Sequence, residues 1–382
     1  MFDICLNIKI MRIIALLFIL LLNSMIVHTQ KKEDILKTLR KVNHYFMSKY
    51  PDPTLPTFVN RERSSNLWTR AVYYEGLMEL QKIDPNSYYL NYSLIWADFH
   101  KWSPRDGIET TNADNQCCGQ TYFDLLKYTK SSNPDKIIEN VLINLNKQMA
   151  TNRYDYWTWI DAIQMAMPLY AKAYSYTNDR KYIDYAIKSY KWTRDTCGGG
   201  LFNTKVGWWW RDENFVPPFT ESDGNDCYWS RGNGWVYAAL ARTMEIIGKN
   251  DEYFNYLRND FDLMSNIIAK SQRDDGFWNV SLASPDTFGG KEATGTSLFL
   301  FGMSWGIRNG ILDNNKYRNV VDKAWRALAV DTVHPDGFLG YIQGTGKAPS
   351  ESQPVNYTRV PDFEDFGTGC FLLGGVEYYR LL

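Results

Sequence analysis

The sequence predicts an all-α protein, an (α/α)6 barrel in which inner and outer helices alternate along the chain. Three observations carry this. Apolar residues recur with helical spacing almost throughout, and valine-rich alternating runs are scarce. Six segments repeat one pattern, small, aromatic or polar residues running into an apolar helix: 68–78 (WTRAVYYEGLM), 117–126 (CCGQTYFDLL), 159–171 (WIDAIQMAMPLYA), 231–244 (RGNGWVYAALARTM), 294–307 (TGTSLFLFGMSWGI) and 366–379 (FGTGCFLLGGVEYY). Between them run more polar helices such as 314–328 (NNKYRNVVDKAWRAL), amphipathic enough for an outer layer. An irregular helical globule and an open solenoid of helix pairs are the competing architectures.

The first thirty residues stand apart from this pattern. Lys9 and Arg12 lead into IIALLFILLL (13–22) and then polar residues, the layout of a secretory signal peptide cleaved near Gln30, with Met11 as a second candidate start. The apolar run is short against the roughly 20 residues of a membrane span. No stable membrane anchor is therefore expected, and residues 31–382 are expected to reach the periplasm or beyond. No linker, low-complexity tract or like-charge run interrupts 31–382, so a single domain is expected there.

Within it, helices are expected at 32–49, 67–83, 119–130, 134–149, 159–175, 180–194, 233–247, 251–271, 294–308, 314–329 and 367–381. Connectors carrying Asp-Gly or Gly-Gly recur at 105–109, 198–202, 274–279 and 335–340, as expected of turns that need a positive φ. The formal net charge is −1 and no basic stripe appears, which argues against a nucleic-acid partner. Residues 31–382 hold five cysteines, an odd number at spacings that fit no zinc site, and no histidines in a ligand-spaced pair. Neither a metal nor a cofactor is expected. Aromatic residues make up 15% of the chain, a composition that suits clefts in which sugar faces stack on rings.

The polar residues that matter gather at the starts of the inner segments. Asp161 opens the third, after a loop rich in tyrosine and tryptophan, with Met165 and Leu169 on its face of the helix. Taken alone it reads as a helix cap. An unpaired carboxylate in so apolar a setting must otherwise be neutralised or put to work. Asp114 precedes the second segment. Arg231, Asn233 and Trp235 open the fourth in RGNGW, where the glycines allow close backbone approach, the arginine offers a fork for a carboxylate and the tryptophan a stacking face. Glu292 precedes the fifth segment, and Asp362, Glu364 and Asp365 the sixth. The long loop 206–230, which includes Trp210, reads as a wall over the mouth, its own acids Asp212, Glu221, Asp223 and Asp226 solvated.

WTWIDAIQMAMPLYA and SRGNGWVYAAL resemble the unsaturated rhamnogalacturonyl hydrolases, glycoside hydrolase family 105, related to the unsaturated glucuronyl hydrolases of family 88. The resemblance covers essentially all of 31–382. It implies an (α/α)6 barrel and a metal-free, cofactor-free exo-glycosidase acting downstream of a polysaccharide lyase. Its substrate would be an oligosaccharide ending in a 4,5-unsaturated uronic acid, rhamnose-linked, from ulvan or rhamnogalacturonan. The family's catalytic aspartate matches Asp161, its second aspartate Asp114, and its substrate-contacting arginine and tryptophan Arg231 and Trp235. Trp159, Trp210 and Asn233 complete the expected substrate-binding set. A histidine that family members often carry after the third hairpin is missing from GLFNTKVGWWWRD, which points to a non-standard leaving sugar, with Arg211 a candidate to accept a sulfate. The alternatives are a conventional inverting glycosidase pairing Asp161 with Glu292 or Asp365, and a non-catalytic exported sugar-binding protein.

Overall fold

Twelve principal helices form two concentric rings in the computed structural model, which describes residues 31–59, 61–359 and 361–382. The expected signal peptide lies outside the described residues. The outer ring comprises α1 (31–49), α3 (Ser87–Phe99), α6 (Pro134–Ala150), α8 (Lys181–Asp195), α10 (Phe254–Lys270) and α13 (Asn314–Ala327). The inner ring comprises α2 (Trp68–Ile83), α5 (Cys118–Leu125), α7 (Asp161–Thr177), α9 (Ser230–Ile247), α12 (Ala293–Arg308) and α14 (Asp365–Leu381). Short helices α4 (Ala113–Gln116) and α11 (Pro285–Phe288) sit in connectors. The inner helices touch in chain order, and α14 packs back against α2 to close the ring. This is the (α/α)6 barrel the repeat predicts.

One outer helix escapes the sequence reading. The segment α3, SYYLNYSLIWADF, begins at Asn86, whose side chain accepts from Tyr88 N. Its outward face carries exposed Tyr88, Ile95 and Phe99, so apolar residues occupy both faces and the amphipathic period is blurred.

Closure demands small residues where helices cross. A Cβ on Gly369 of α14 would lie 2.2 Å from the Val72 carbonyl oxygen of α2. In RGNGW, Gly232 is pressed against Trp229 and Ile160, and Gly234 against Leu298 of α12. Those two glycines serve helix packing, not the ligand approach their spacing suggests. The Asp-Gly connectors do turn at positive φ, at Gly107, Gly276 and Gly337.

All inner helices run the same way, so their N-termini meet at one end and their C-termini at the other. The C-terminal end collects Lys82, Lys172, Arg242, Arg308 and Arg380 around a cavity of about 460 Å³. Cations there complement the helix dipoles. Each is also matched by an acid: Lys172 meets Asp124 at 2.5 Å, Arg380 meets Glu79 at 2.8 Å, Lys82 meets Glu79 at 2.6 Å, Arg242 meets Glu75 and Arg308 meets Glu377. This ion-pair network lines the C-terminal end of the barrel. The five cysteines at 117, 118, 197, 227 and 370 are buried free thiols, and no described helix is long and apolar enough to cross a membrane.

Candidate active site

A second cavity, about 290 Å³, opens among the inner-helix N-termini. Its floor is built from the lead-in to α7. Ile160 N donates to Arg211 O at 2.9 Å, and Trp159 and Asp212 form a β-bridge, so residues 159–160 are laced to the loop after the β-hairpin Phe202–Asn203/Trp208–Trp209. The lacing brings the Arg211 side chain to Asp161 as α7 begins.

Asp161 is not spent as a cap: the N-cap position is Ile160, and no side chain bonds this helix end. Asp161 Oδ2 and Arg211 Nε face each other at 3.4 Å, and each is buried without a hydrogen-bond partner among the described residues. Arg211 directs Nη1 to Asp212 at 2.5 Å and lies 6.0 Å from the Trp159 ring. Burial raises the Asp161 pKa, against the lowering pull of Arg211 and Arg231. Asp114 lines the same cavity from α4, where the Asn112 side chain accepts from Asp114 N and caps the helix. Burial, then the neighbouring Asp161 charge, pushes the Asp114 carboxyl up to about 7. Two coupled acids thus hold a proton near neutrality, the property expected of a general acid site.

Trp159, Asp161 and Asp114 come together as the sequence predicts. Four expected substrate-binding residues do not line this cavity, each for a visible reason. Arg231 is 1% exposed, lies over the Trp229 ring at 4.5 Å and donates to the carbonyls of Gln343 at 2.6 Å and Gly344 at 2.8 Å. Asn233 clamps backbone, accepting from Trp209 N and donating to Trp209 O and Trp229 O. Trp235 is fully buried, edge-on to Trp68. Trp210 packs on Tyr228, 5.6 Å between ring centres. These residues build the walls from behind.

The acids proposed for an inverting pair are also committed elsewhere. Glu292 caps α12 through Thr294 N and Gly295 N, and Asp365 pairs with buried Arg70. Two acids of loop 206–230 depart from their solvated reading: Asp212 is held by Arg211 and Asn214, and Glu221 by Ser281.

Residues 38–382 match the family model for Glycosyl Hydrolase Family 88. The chain belongs to that family. A Formosa agariphila protein named unsaturated 3S-rhamnoglycuronyl hydrolase is 31% identical over 334 residues, covering 82% of this chain and 84% of its own length. A protein of the same name from Alteromonas sp. is 30% identical over 290 residues, covering 70% of this chain and 66% of its own. The structure of a glycosyl hydrolase family 88 protein from Bacteroides vulgatus has a TM-score of 0.83 at 32% identity, covering 92% of this chain and 99% of that one. The resemblance seen in the two motifs is borne out, and this family 88 member is a glycosidase.

Part of this family 88 cavity was not visible in the sequence. Trp68, Trp229, Arg61, Arg63, Thr345, Lys347 and Glu351 also line it. Arg61 and Arg63 belong to the hairpin Thr57–Val59/Arg61–Arg63, whose period of two sends both arginines to one face. The Arg-Glu-Arg alternation was the available signal. Lys347 comes from a loop held down by Arg231 and by Gln343, which joins Trp229 Nε1 to the carbonyls of Ala348 and Glu351. No local pattern announces that loop.

Proposed function

We propose that this protein removes the terminal 4,5-unsaturated uronic acid from rhamnose-linked oligosaccharides released by lyases from ulvan or rhamnogalacturonan. The names of the relatives from Formosa agariphila and Alteromonas support the uronyl–rhamnose linkage. The observation that carries the chemistry is the buried Asp161 carboxyl, unbonded at Oδ2, facing Arg211 and sharing its cavity with Asp114.

In this reading the sugar ring stacks on Trp159, and the Arg211 fork holds the planar uronate carboxylate. Protonated Asp161 delivers its proton to C4 of the enol ether, leaving positive charge shared between C5 and the ring oxygen. Water adds to C5 and gives its proton to the Asp161 carboxylate, with Asp114 beside it to share that proton. The C5 hemiketal then opens to a ketone by breaking the bond from C5 to the ring oxygen. The hemiacetal freed at C1 collapses to an aldehyde and expels the rhamnose as an alcohol. One water is consumed, and one acid serves twice, so the paired carboxyls of ordinary glycosidases are not required. The signal-peptide pattern of residues 1–30 supports action outside the cytoplasm, where lyase products of large polysaccharides arise.

The test follows loss of ultraviolet absorbance of an unsaturated uronyl–rhamnose disaccharide. Asp161→Asn is expected to lower kcat by roughly 10²–10⁴-fold, the usual contribution of a general acid, with thermal stability retained. Substantial activity in that variant, or equal turnover of the saturated disaccharide, would remove this reading.

A further inference from the structure

The helix that carries Asp161 is interrupted in its own hydrogen bonding one turn behind that residue. Pro168 lies inside α7. A proline in a helix interior has no N–H for the carbonyl four residues back, and its ring crowds that carbonyl. Here the carbonyl is that of Gln164. The helix is therefore short of a bond at the joint between its front turn, Asp161 to Gln164, and its body.

The neighbouring helix α5 supplies what the proline lacks. Gln120, fully buried, donates through Nε2 to Gln164 O at 2.9 Å and to Met165 O at 3.0 Å. Only the amide nitrogen can face two carbonyl oxygens, so this side chain has one orientation. Gly119 lets α5 come this close: a Cβ there would stand 3.0 Å from Leu169 Cδ1, just past the proline. One turn further on, Asp124 of α5 pairs with Lys172 of α7 at 2.5 Å, and Lys172 also donates to Gln120 O at 3.2 Å. Helix α5 thus grips α7 on both sides of the joint. From α2, Glu75 Oε2 accepts from Gln164 Nε2 at 3.0 Å and from Arg242 of α9.

The front turn is consequently held at two ends. Residues 159–160 are tied to 211–212 through backbone, and the Gln120 amide holds the rear. Met165, whose carbonyl Gln120 engages, lines the cavity beside Asp161. We infer that Gln120 is a positioning residue for the reaction: standing in for the N–H that Pro168 lacks, its amide fixes the rotation of the front turn of α7 and so the aim of the Asp161 carboxyl. This rests on the reading of Asp161 as the proton donor. The competing account is a buried amide that satisfies two stranded carbonyls and does nothing for the chemistry.

The experiment measures kcat and KM on the unsaturated uronyl–rhamnose disaccharide for the whole protein, Gln120→Met, Pro168→Ala and the double variant. Methionine keeps the reach of the side chain and deletes the donor. Alanine at 168 restores the N–H to Gln164 O and removes the ring, so the front turn re-seats. In each single variant kcat is expected to fall about tenfold or more, since misplacement by about 1 Å can cost 10²-fold. KM should stay close to wild type, because Trp159 and Arg211 are held from outside the joint. Both changes act on one carbonyl, so the double variant should lose no more kcat than the worse single. In an Asp161→Asn background, Gln120→Met should leave the residual rate unchanged, because Gln120 acts through that carboxyl. A lowered urea midpoint with wild-type kcat in Gln120→Met would leave only the structural amide and overturn the inference. Losses carried by KM, or losses that multiply in the double variant, would overturn it too. Should Gln120→Met fail to fold, Pro168→Ala decides alone, and an unchanged kcat there sinks the idea. Full activity in Asp161→Asn itself would instead bring down the parent reading.

Discussion

Arg231 decides between two accounts of the RGNGW motif. As a substrate ligand it would act on KM; in the structure it is a pin that holds residues 343–344 over the start of α9. Replacing it by methionine keeps an apolar stem of similar reach and deletes two charge-assisted hydrogen bonds, at 2.6 and 2.8 Å. Such bonds contribute about 1.5–3 kcal/mol each. Removing a buried guanidinium also recovers part of its desolvation cost, which for Arg231 is the largest influence on its pKa. The net loss is then about 2–4 kcal/mol, since the two freed carbonyls stay buried. Urea unfolding measures it: with m of about 3 kcal/mol/M, the midpoint should fall by roughly 1 M at unchanged slope. Activity at saturating substrate, assayed well below that midpoint, should drop less than tenfold. An unchanged midpoint with a large rise in KM would refute the pin and restore Arg231 as a substrate contact.

The pH profile tests the coupled acids. Asp114 titrates near 7, so its proton is held more tightly in the folded protein than in the unfolded chain, where an aspartate titrates near about 3.9. The stability this contributes is fully present below that unfolded value and is lost as pH rises through about 7; the midpoint of urea unfolding should decline over that interval and decline less in Asp114→Asn. Activity should likewise show an alkaline limb, set by the raised pKa of the buried Asp161 carboxyl. Asp114→Asn removes a neighbouring negative charge and should move that limb to lower pH, and an unmoved limb would separate Asp114 from the catalytic proton. Gly369→Ala should lower stability by about 1–3 kcal/mol or more, because α14 and α2 have no room for a methyl group at 2.2 Å from a carbonyl. A neutral midpoint in that variant would mean the two helices can part.

What could be read in the sequence was what repeats or what breaks a pattern. The inner ring shows itself because each inner helix is apolar nearly all round and opens with small or polar residues. Asp161 and Asp114 stood out because each interrupts such an opening, and both reach the cavity. RGNGW shows where that reading fails. An arginine, an asparagine and a tryptophan beside glycines look the same in sequence whether they face a ligand or brace a loop. Only the carbonyls of Gln343 and Gly344, more than a hundred residues away, distinguish the two. Arg61 and Lys347 come to line one cavity only through the long-range placement of a hairpin and a loop.

The charge pattern of the whole barrel explains why an acid can keep its proton at this end. Helix N-termini converging on the mouth favour anions and, left alone, would ionise Asp161. Burial opposes this and prevails, with Arg211 the chief lowering influence that remains. When a uronate carboxylate binds that guanidinium, it competes for the charge that steadies ionised Asp161 and adds a negative charge of its own. Both changes push the Asp161 pKa further up. On the proposed mechanism the substrate thereby favours the protonated acid of the first step, and product release lets Arg211 lower it again. Arg211 is therefore placed to sense the substrate as well as to hold it. An arginine at the rim has no such lever, because it does not touch the acid, and this is the physical reason to assign the uronate to Arg211.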